Sequence, residues 1–478
     1  MKHPKHPKNE EMNEEDFELE FDAAADIKYL ADMAEMEAKE RDEDEFCKSL
    51  IGVVNEHRAE VGSVSGAAEE FGKSLYAVIK ETEEGNILFS PYSVAAVLAM
   101  LSEGARGETL DMMRRMMHLP EAETLRVGYK DSIPVLRTNE RCNENLTLDT
   151  ANTAFVMEGF QVLDEFQKSL KENYHANMSS VDFADNEKAA RTINDWVASK
   201  TQNKITDLIQ ADSLSALTRL LLVNAVYFEA AWETQFDKEN TAPGMFSVAR
   251  SLSKKVPMMS LMNHKMNFAD LDQLDCSMVE LPYKGNRIVM QVILPNQING
   301  VFDLENKLSE GDLNSLFSEN MENIRVDLTL PRFKLFHSLS LSDSLKQMGM
   351  ADMFSAGKAD FSGITGTRDL FVSSVIQKIF VEVNEEGSEA AAATKVVVRF
   401  MSRPPTENQT FNVDHPFIFI IRDKLTGMIL FQGRVLDPSI LVKYLVFKTI
   451  FDTFFSYFVF IESNSIIANW KLSFTQSM

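Results

Sequence analysis

No group of residues in the 478-residue chain has the spacing of a catalytic or metal centre. The eight histidines are scattered, with no HxxxH pair or His/Cys cluster, and His118, His175 and His415 read as surface or structural residues. Gly104-Ala-Arg-Gly107 lacks the GxxxxGK spacing of a phosphate loop, and neither GxGxxG nor GxSxG occurs. Nucleotide and hydrolase chemistry therefore have no support, and a Ser/His/Asp site would have to assemble purely in space. Cys47, Cys142 and Cys276 are odd in number and widely spaced, which excludes a disulfide framework and a CxxC metal site and allows one bridge at most. Met258 and Met259 read as core filler. The expectation is a chain that is not an enzyme, holds no metal and uses no cofactor.

One stretch does carry chemical potential. Glu385 to Asn412 reads EEGSEAAAATKVVVRFMSRPPTENQTFN. Its acids and four alanines favour a helix, while Val396 to Val398 favour a strand. If Gly387 to Phe400 is extended, Ser388, Ala390, Ala392, Thr394, Val396, Val398 and Phe400 share one face. Glu389, Lys395 and Arg399 then all fall on the other. An uncharged face that starts with small residues is what a strand needs to slip beneath other elements. A short exposed helix or a linker is the alternative, and it leaves the period of two in the charges without a reason.

The elements around this stretch are mixed. Phe71, Leu75 and Ile79 lie four apart on one helical face in Ala67 to Lys80. A short strand follows, then a helix with Ser90 as N-cap and Pro91 in its first turn. The rest is rich in strands: Leu217 to Phe228, Ser277 to Pro295, Asn323 to Phe336, Phe371 to Val383, and a pair around the turn Asp423 to Gly427. This is one large α+β domain, expected over residues 65–439, without the regular alternation of a doubly wound sheet.

Both ends differ from this body. Residues 1–64 read as an acidic extension, solvated and partly helical around Asp26 to Arg41; Met1 to Ser65 hold 19 acids against 8 Lys and Arg. Residues 440–478 read as an apolar extension of unassigned role, in which Lys443, Lys448 and Asp452 weigh against a membrane span. A net charge of −24 excludes a nucleic-acid binder. Arg114-Arg115 and Lys254-Lys255 are too few for a heparin-like polyanion. The sequons at Asn145, Asn177 and Asn408 are glycosylation candidates in a secreted chain. They favour an extracellular location, while the start MKHPKHPKNEEMNEEDFELE, acidic and without a visible signal peptide, leaves a cytoplasmic one as the alternative.

The run Val383 to Thr394, VNEEGSEAAAAT, closely resembles the proximal hinge of the inhibitory serpins, of the arthropod or neuroserpin-like kind. The likeness extends over Ser65 to Ser439 through NILFSPYS at Asn86, GARGET at Gly104, NDWV at Asn194, NAVYF at Asn224, LPY at Leu281, LPRF at Leu330, DHPF at Asp414 and FQGRV at Phe431. It implies a metastable fold of three β-sheets and eight or nine helices, with a reactive-centre loop at about residues 385–410. It further implies that a protease would cleave that loop and be trapped as an acyl-enzyme while the hinge inserts into the large sheet. The hinge would be Glu385, Gly387, Ser388, Ala390, Ala391, Ala392, Ala393 and Thr394.

Family spacing from Glu385 puts the reactive bond at Met401-Ser402, with Arg403 and Phe400 as the alternatives. An unbranched apolar Met401 suits an elastase-like or chymotrypsin-like serine protease; a trypsin-like one wants a cation. Ser90, Asn224 and Gln377 would lie where the sheet parts. Gln377 stands where many members carry a histidine, so no histidine-linked switch is expected. The other reading is a non-inhibitory serpin serving as carrier, storage protein or chaperone. The chain is expected to be a monomer.

Overall fold

The computed structural model describes residues 45–137, 146–311, 321–388 and 408–439. Asn145, Ala390 to Thr394, Phe400 to Arg403, residues 1–44 of the acidic extension and residues 440–478 fall outside these residues.

Helix α1 (residues 45–56) leads through His57 into α2 (Arg58–Thr82). Phe71, Leu75 and Ile79 are all buried, as their spacing requires. The expected boundary at residue 64 falls inside α2. Residues 45–64 are therefore not a solvated tail: Val54, Val61 and Val64 are at most 2% exposed, and Val54 and Val61 pack with Val135. Acid-rich composition hid this apolar stripe. His57 Nδ1 also lies 2.7 Å from the Asp131 carboxylate. Cys47 is disulfide-bonded, and Cys142 lies outside the described residues. Cys276 is a free thiol, which burial pushes up to a pKa of about 12.

After β1 (Ile87–Phe89), α3 (Pro91–Ser102) begins with Ser90 as N-cap, its oxygen accepting from Ser93 N at 3.3 Å. All twelve residues of α3 are buried, and it contacts β2 and β4 on one side and β15 on the other, which makes it the axle between two sheets. In order there follow α4 (Gly107–Met116), α5 (Ala122–Arg137), β2 (Leu146–Met157), α6 (Asp164–Tyr174), β3 (Met178–Val181), α7 (Asn186–Lys200), β4 (Leu220–Ala231), β5 (Ala242–Ala249), β6 (Leu252–Leu271), β7 (Cys276–Pro282), β8 (Ile288–Pro295) and α8 (Val301–Glu310). Strands complete the chain: β9 (Glu322–Pro331), β10 (Phe333–Ser340), β11 (Val372–Val383), β12 (Gly387–Ser388), β13 (Gln409–Asn412), β14 (Phe417–Asp423) and β15 (Ile429–Val435). Residues 342–354 form short helical turns between β10 and β11.

Six strands form one sheet in the order β10-β11-β4-β2-β3, with β12 on the end of β4. The other nine form β1-β15-β14-β8-β7-β6-β9-β13, with β5 beside β6. Three sheets were expected, and two hydrogen-bonded networks are found among the described residues. The reason is β6: its first part pairs with β5 and its last with β7, across a break in register between Leu261 and His264, so it joins what would otherwise be two sheets. The stretch Asn323 to Phe336 is likewise not one strand. It crosses from the nine-stranded to the six-stranded sheet at Arg332, just after Pro331. His415 is structural, its ring held between Pro295 O and Asp414. Met258 and Met259 are in the core. Among the described residues no helix is long and apolar enough to cross a membrane.

Candidate functional site

In the six-stranded sheet, β11 and β4 are parallel neighbours, paired from Val372 opposite Leu220 to Val381 opposite Phe228. Their outer neighbours β10 and β2 run antiparallel to them. A strand placed between β11 and β4 and antiparallel to both would turn the slightly weaker parallel pairing into two antiparallel ones. The chain has already begun that strand. Past Val383 it turns through Asn384 to Glu386 and returns as β12, antiparallel to β4, with Gly387 opposite Ala231 and Ser388 opposite Ala230.

The turn is held locally by Asn384, whose Oδ1 accepts from Glu386 N at 3.0 Å and Gly387 N at 3.2 Å. Gly387 has φ +148°, and a Cβ there would sit 2.0 Å from Ala230 O. Only glycine permits this close approach.

The segment after β4 clamps the turn. Trp232 N donates to Glu386 O and Phe236 N to Glu385 O, both at 2.9 Å, and Trp232 Nε1 donates to Asn384 O at 2.9 Å. Trp232 in turn stacks on Tyr283 at 4.4 Å. Lys238 pairs with the Glu386 carboxylate. The Glu385 side chain is buried, accepting from Thr241 Oγ1 at 2.8 Å and facing Arg332 NH1 at 3.4 Å. Burial disfavours its charge, but the Thr241 hydroxyl, the backbone and Arg332 outweigh burial and hold the carboxyl below its ordinary range.

A depressed carboxyl stabilises the anchored hinge above the unfolded pKa, about 4.3, and that contribution is lost as pH falls through the folded value. Hinge release, followed by limited proteolysis at the turn, should therefore be level from pH 7 to about pH 5 and accelerate below about pH 4. Glu385→Gln should flatten the profile. An equal acceleration in that variant would remove Glu385 as the cause.

Beneath the same two strands lies a buried polar cluster. Gln377 on β11 stands opposite Asn224 on β4, and its Nε2 donates to Asn224 Oδ1 at 2.5 Å and to Ser90 O at 3.2 Å. Gln377 Oε1 accepts from Ser90 N at 3.1 Å. Asn224 Nδ2 donates to Ser93 Oγ and to Asn152 Oδ1, each at 2.6 Å, and Ser90 Oγ donates to Leu430 O at 2.6 Å. Separating β11 from β4 breaks the Gln377–Asn224 bond, so the cluster acts as a latch across the seam. Gln377→Met keeps the volume and strands the Ser90 N–H and the Asn224 carbonyl in the core, each costing roughly 1–3 kcal/mol. We expect a Tm fall of several degrees in calorimetry, with faster spontaneous loop insertion read by native gel mobility.

The structure thus brings together Ser90, Asn224 and Gln377, and it places Glu385, Gly387 and Ser388 at the mouth of the seam. Asn177 is exposed, and Asn408 is half-buried, donating to Asp327 at 3.1 Å. Sequence reasoning missed Ser93 and Asn152 in the latch, and Trp232, Phe236, Thr241 and Arg332 in the clamp. The motifs NAVYF and LPRF pointed to the neighbourhood of Trp232 and Arg332, but nothing in their spacing marks a partner for Glu385.

The family model described as "Serpin (serine protease inhibitor)" matches residues 66–438. The leukocyte elastase inhibitor of Xenopus tropicalis is 38% identical over 382 residues, covering 79% of this chain and 100% of that protein. The intracellular coagulation inhibitor 1 of Tachypleus tridentatus is 39% identical over 391 residues, covering 80% and 91%. Among solved structures, Serpin48 of the insect Tenebrio molitor superposes with a TM-score of 0.71 at 37% identity, covering 78% of this chain and 98% of that one.

Proposed function

The chain belongs to the serpin family, and from that premise we propose that it is a suicide-substrate inhibitor of a serine protease. The observation that carries the reading is β12, already paired antiparallel with β4 at the open end of a parallel seam. Cleavage between residues 389 and 407 frees the chain after β12 from the chain leading to β13. Extension of β12 down the seam is then opposed only by the pairing of β11 with β4 and the Gln377–Asn224 latch, which the new antiparallel ladders replace. An inserted strand adds on the order of ten backbone hydrogen bonds at roughly 0.5–1.5 kcal/mol each, comparable with the 5–15 kcal/mol that stabilises a typical protease. A protease still joined to the loop as an acyl-enzyme is carried along, and its active site deforms before water completes the reaction.

Small residues at Ser388, Ala390 and Ala392 favour this reading over a carrier, storage protein or chaperone. The proposed reactive bond is Met401-Ser402. The elastase and coagulation inhibitors among the relatives agree with a serine protease partner, and a monomer suffices for the mechanism. The test is incubation with elastase, chymotrypsin and trypsin, then denaturing gels and mass spectrometry of the released C-terminal peptide. A covalent band with one of them supports the function, and quantitative cleavage without any such band by all three rejects it. The sequons favour secretion and the name of the coagulation inhibitor favours the cell interior. Glycan on the exposed Asn177 of the native protein would decide for secretion.

A further inference from the structure

Beside the clamp lies a cavity of about 160 Å³. Trp232 and Phe236 form one wall, with Leu281 and Pro282 of β7 next to them. Asn267 and Asn323, on the facing strands β6 and β9, also line it, with Asn323 Nδ2 donating to Asn267 Oδ1 at 3.0 Å. A cavity of this volume has room for a benzene ring, and here Lys265, Asn267, Glu280, Asn286 and Asn323 make much of its lining polar.

Lys265 also lines the cavity, and directly across from it on β9 stands Arg325. Like charges directly opposite on paired strands repel. Both side chains are exposed, and among the described residues neither has a carboxylate partner; Arg325 donates only to Asn263. Glu280, the carboxylate in the wall, is already occupied: it accepts from Asn267 at 3.1 Å and Gln291 at 3.3 Å, and Lys424 lies 3.8 Å away. An unneutralised cation pair in a chain of net charge −24, at the rim of an aromatic-walled cavity, asks for a ligand with one anionic end and one apolar end.

We infer that this cavity binds a small aromatic or aliphatic carboxylate, its acid on Lys265 and its body against Trp232 and Phe236. Occupancy would affect the hinge, because the backbone and indole of Trp232 and the backbone of Phe236 hold Asn384, Glu385 and Glu386. A ligand that fixes this wall stabilises the anchored state over the inserting one. This second consequence rests on the inhibitory reading; binding itself does not.

The probe is 3-phenylpropionate, with neutral 3-phenylpropionamide as control, titrated into the full chain by calorimetry. Saturable one-to-one binding is expected, at least tenfold weaker for the amide and at least tenfold weaker for the acid with Lys265→Gln, whose Tm should match that of the parent. Equal affinity for acid and amide, or an unaffected variant, overturns the site. In a separate arm, saturating 3-phenylpropionate should slow covalent trapping of the protease at least threefold. Binding with an unchanged trapping rate overturns the coupling and leaves the inhibitory reading intact.

Discussion

Ser388→Arg turns the inhibitor into a substrate: the protease still cleaves the loop, but the covalent band disappears and the number of inhibitor molecules consumed per protease inactivated rises more than tenfold. Ser388 is the last described residue of β12, in register with Ala230, whose side chain is in the main core. It is therefore the first residue whose side chain must pass inward when the strand extends. The seam it enters is lined by Val226, Phe228, Ile379 and Val381, all buried. A guanidinium taken into that layer without a partner costs several kcal/mol, a large share of the roughly 5–15 kcal/mol available from the new ladder. The penalty falls at the first step, before any later hydrogen bond compensates it. Insertion becomes slower than hydrolysis of the acyl-enzyme, and the protease leaves intact.

Ser388→Thr, which adds one methyl group and no charge, should keep most of the trapping. Ala390→Pro should act like the arginine by a different route, since proline removes a ladder donor two residues further on. Full trapping by Ser388→Arg would mean that insertion is not the mechanism. The same variant should keep the Tm of the uncleaved parent and lose only the gain in Tm that cleavage brings. That separates a blocked insertion from a damaged fold.

What the sequence disclosed follows from how local each signal is. The face of Phe71, Leu75 and Ile79, the cap at Ser90 and the turn at Asp423 to Gly427 depend on neighbours within a few residues, and each is found. The hinge was legible because its small residues and its charges alternate within a dozen positions. The latch was half legible: Ser90, Asn224 and Gln377 could be named through the resemblance, while Ser93 and Asn152 could not. An asparagine in the middle of β2 has no sequence mark until Asn224 is seen opposite it in the sheet. Glu385 illustrates the same limit, since its partners Thr241 and Arg332 lie 144 and 53 residues away. At the other extreme, acidic composition from Met1 to Ser65 outweighed the apolar stripe Val54, Val61 and Val64, so a helix that packs on Val135 was read as tail. Composition averages over a window, whereas burial is decided one face at a time.

Met401→Glu should reduce trapping of elastase-like and chymotrypsin-like proteases by about 100-fold or more. The primary pocket of such a protease is apolar, and a carboxylate placed there without a hydrogen-bonding partner costs roughly 3 kcal/mol or more, which is two powers of ten in rate. Cleavage at the Met401 bond releases a peptide that begins at Ser402. The two alternatives make different products. Cleavage after Phe400 yields a peptide beginning at Met401, and there Met401→Glu changes the residue on the leaving side, with a much smaller effect. Cleavage after Arg403 must break the bond to Pro404, whose nitrogen carries no hydrogen and whose ring fixes the chain on the leaving side. That makes it the poorest of the three bonds despite its cation, and trypsin would then find Arg399 first. Cleavage after Arg399 shortens the part of the loop that can insert by two residues, about 6–7 Å of extended strand, so the protease would stop short of the far end of the seam. A trypsin digest of the wild-type chain should therefore show more cleaved product than covalent complex, and the elastase or chymotrypsin reaction the reverse. A released peptide beginning at Ser402 only from the reaction that gives the covalent band would fix Met401 as the bait; one beginning at Pro404 from that reaction would assign the bait to Arg403 instead.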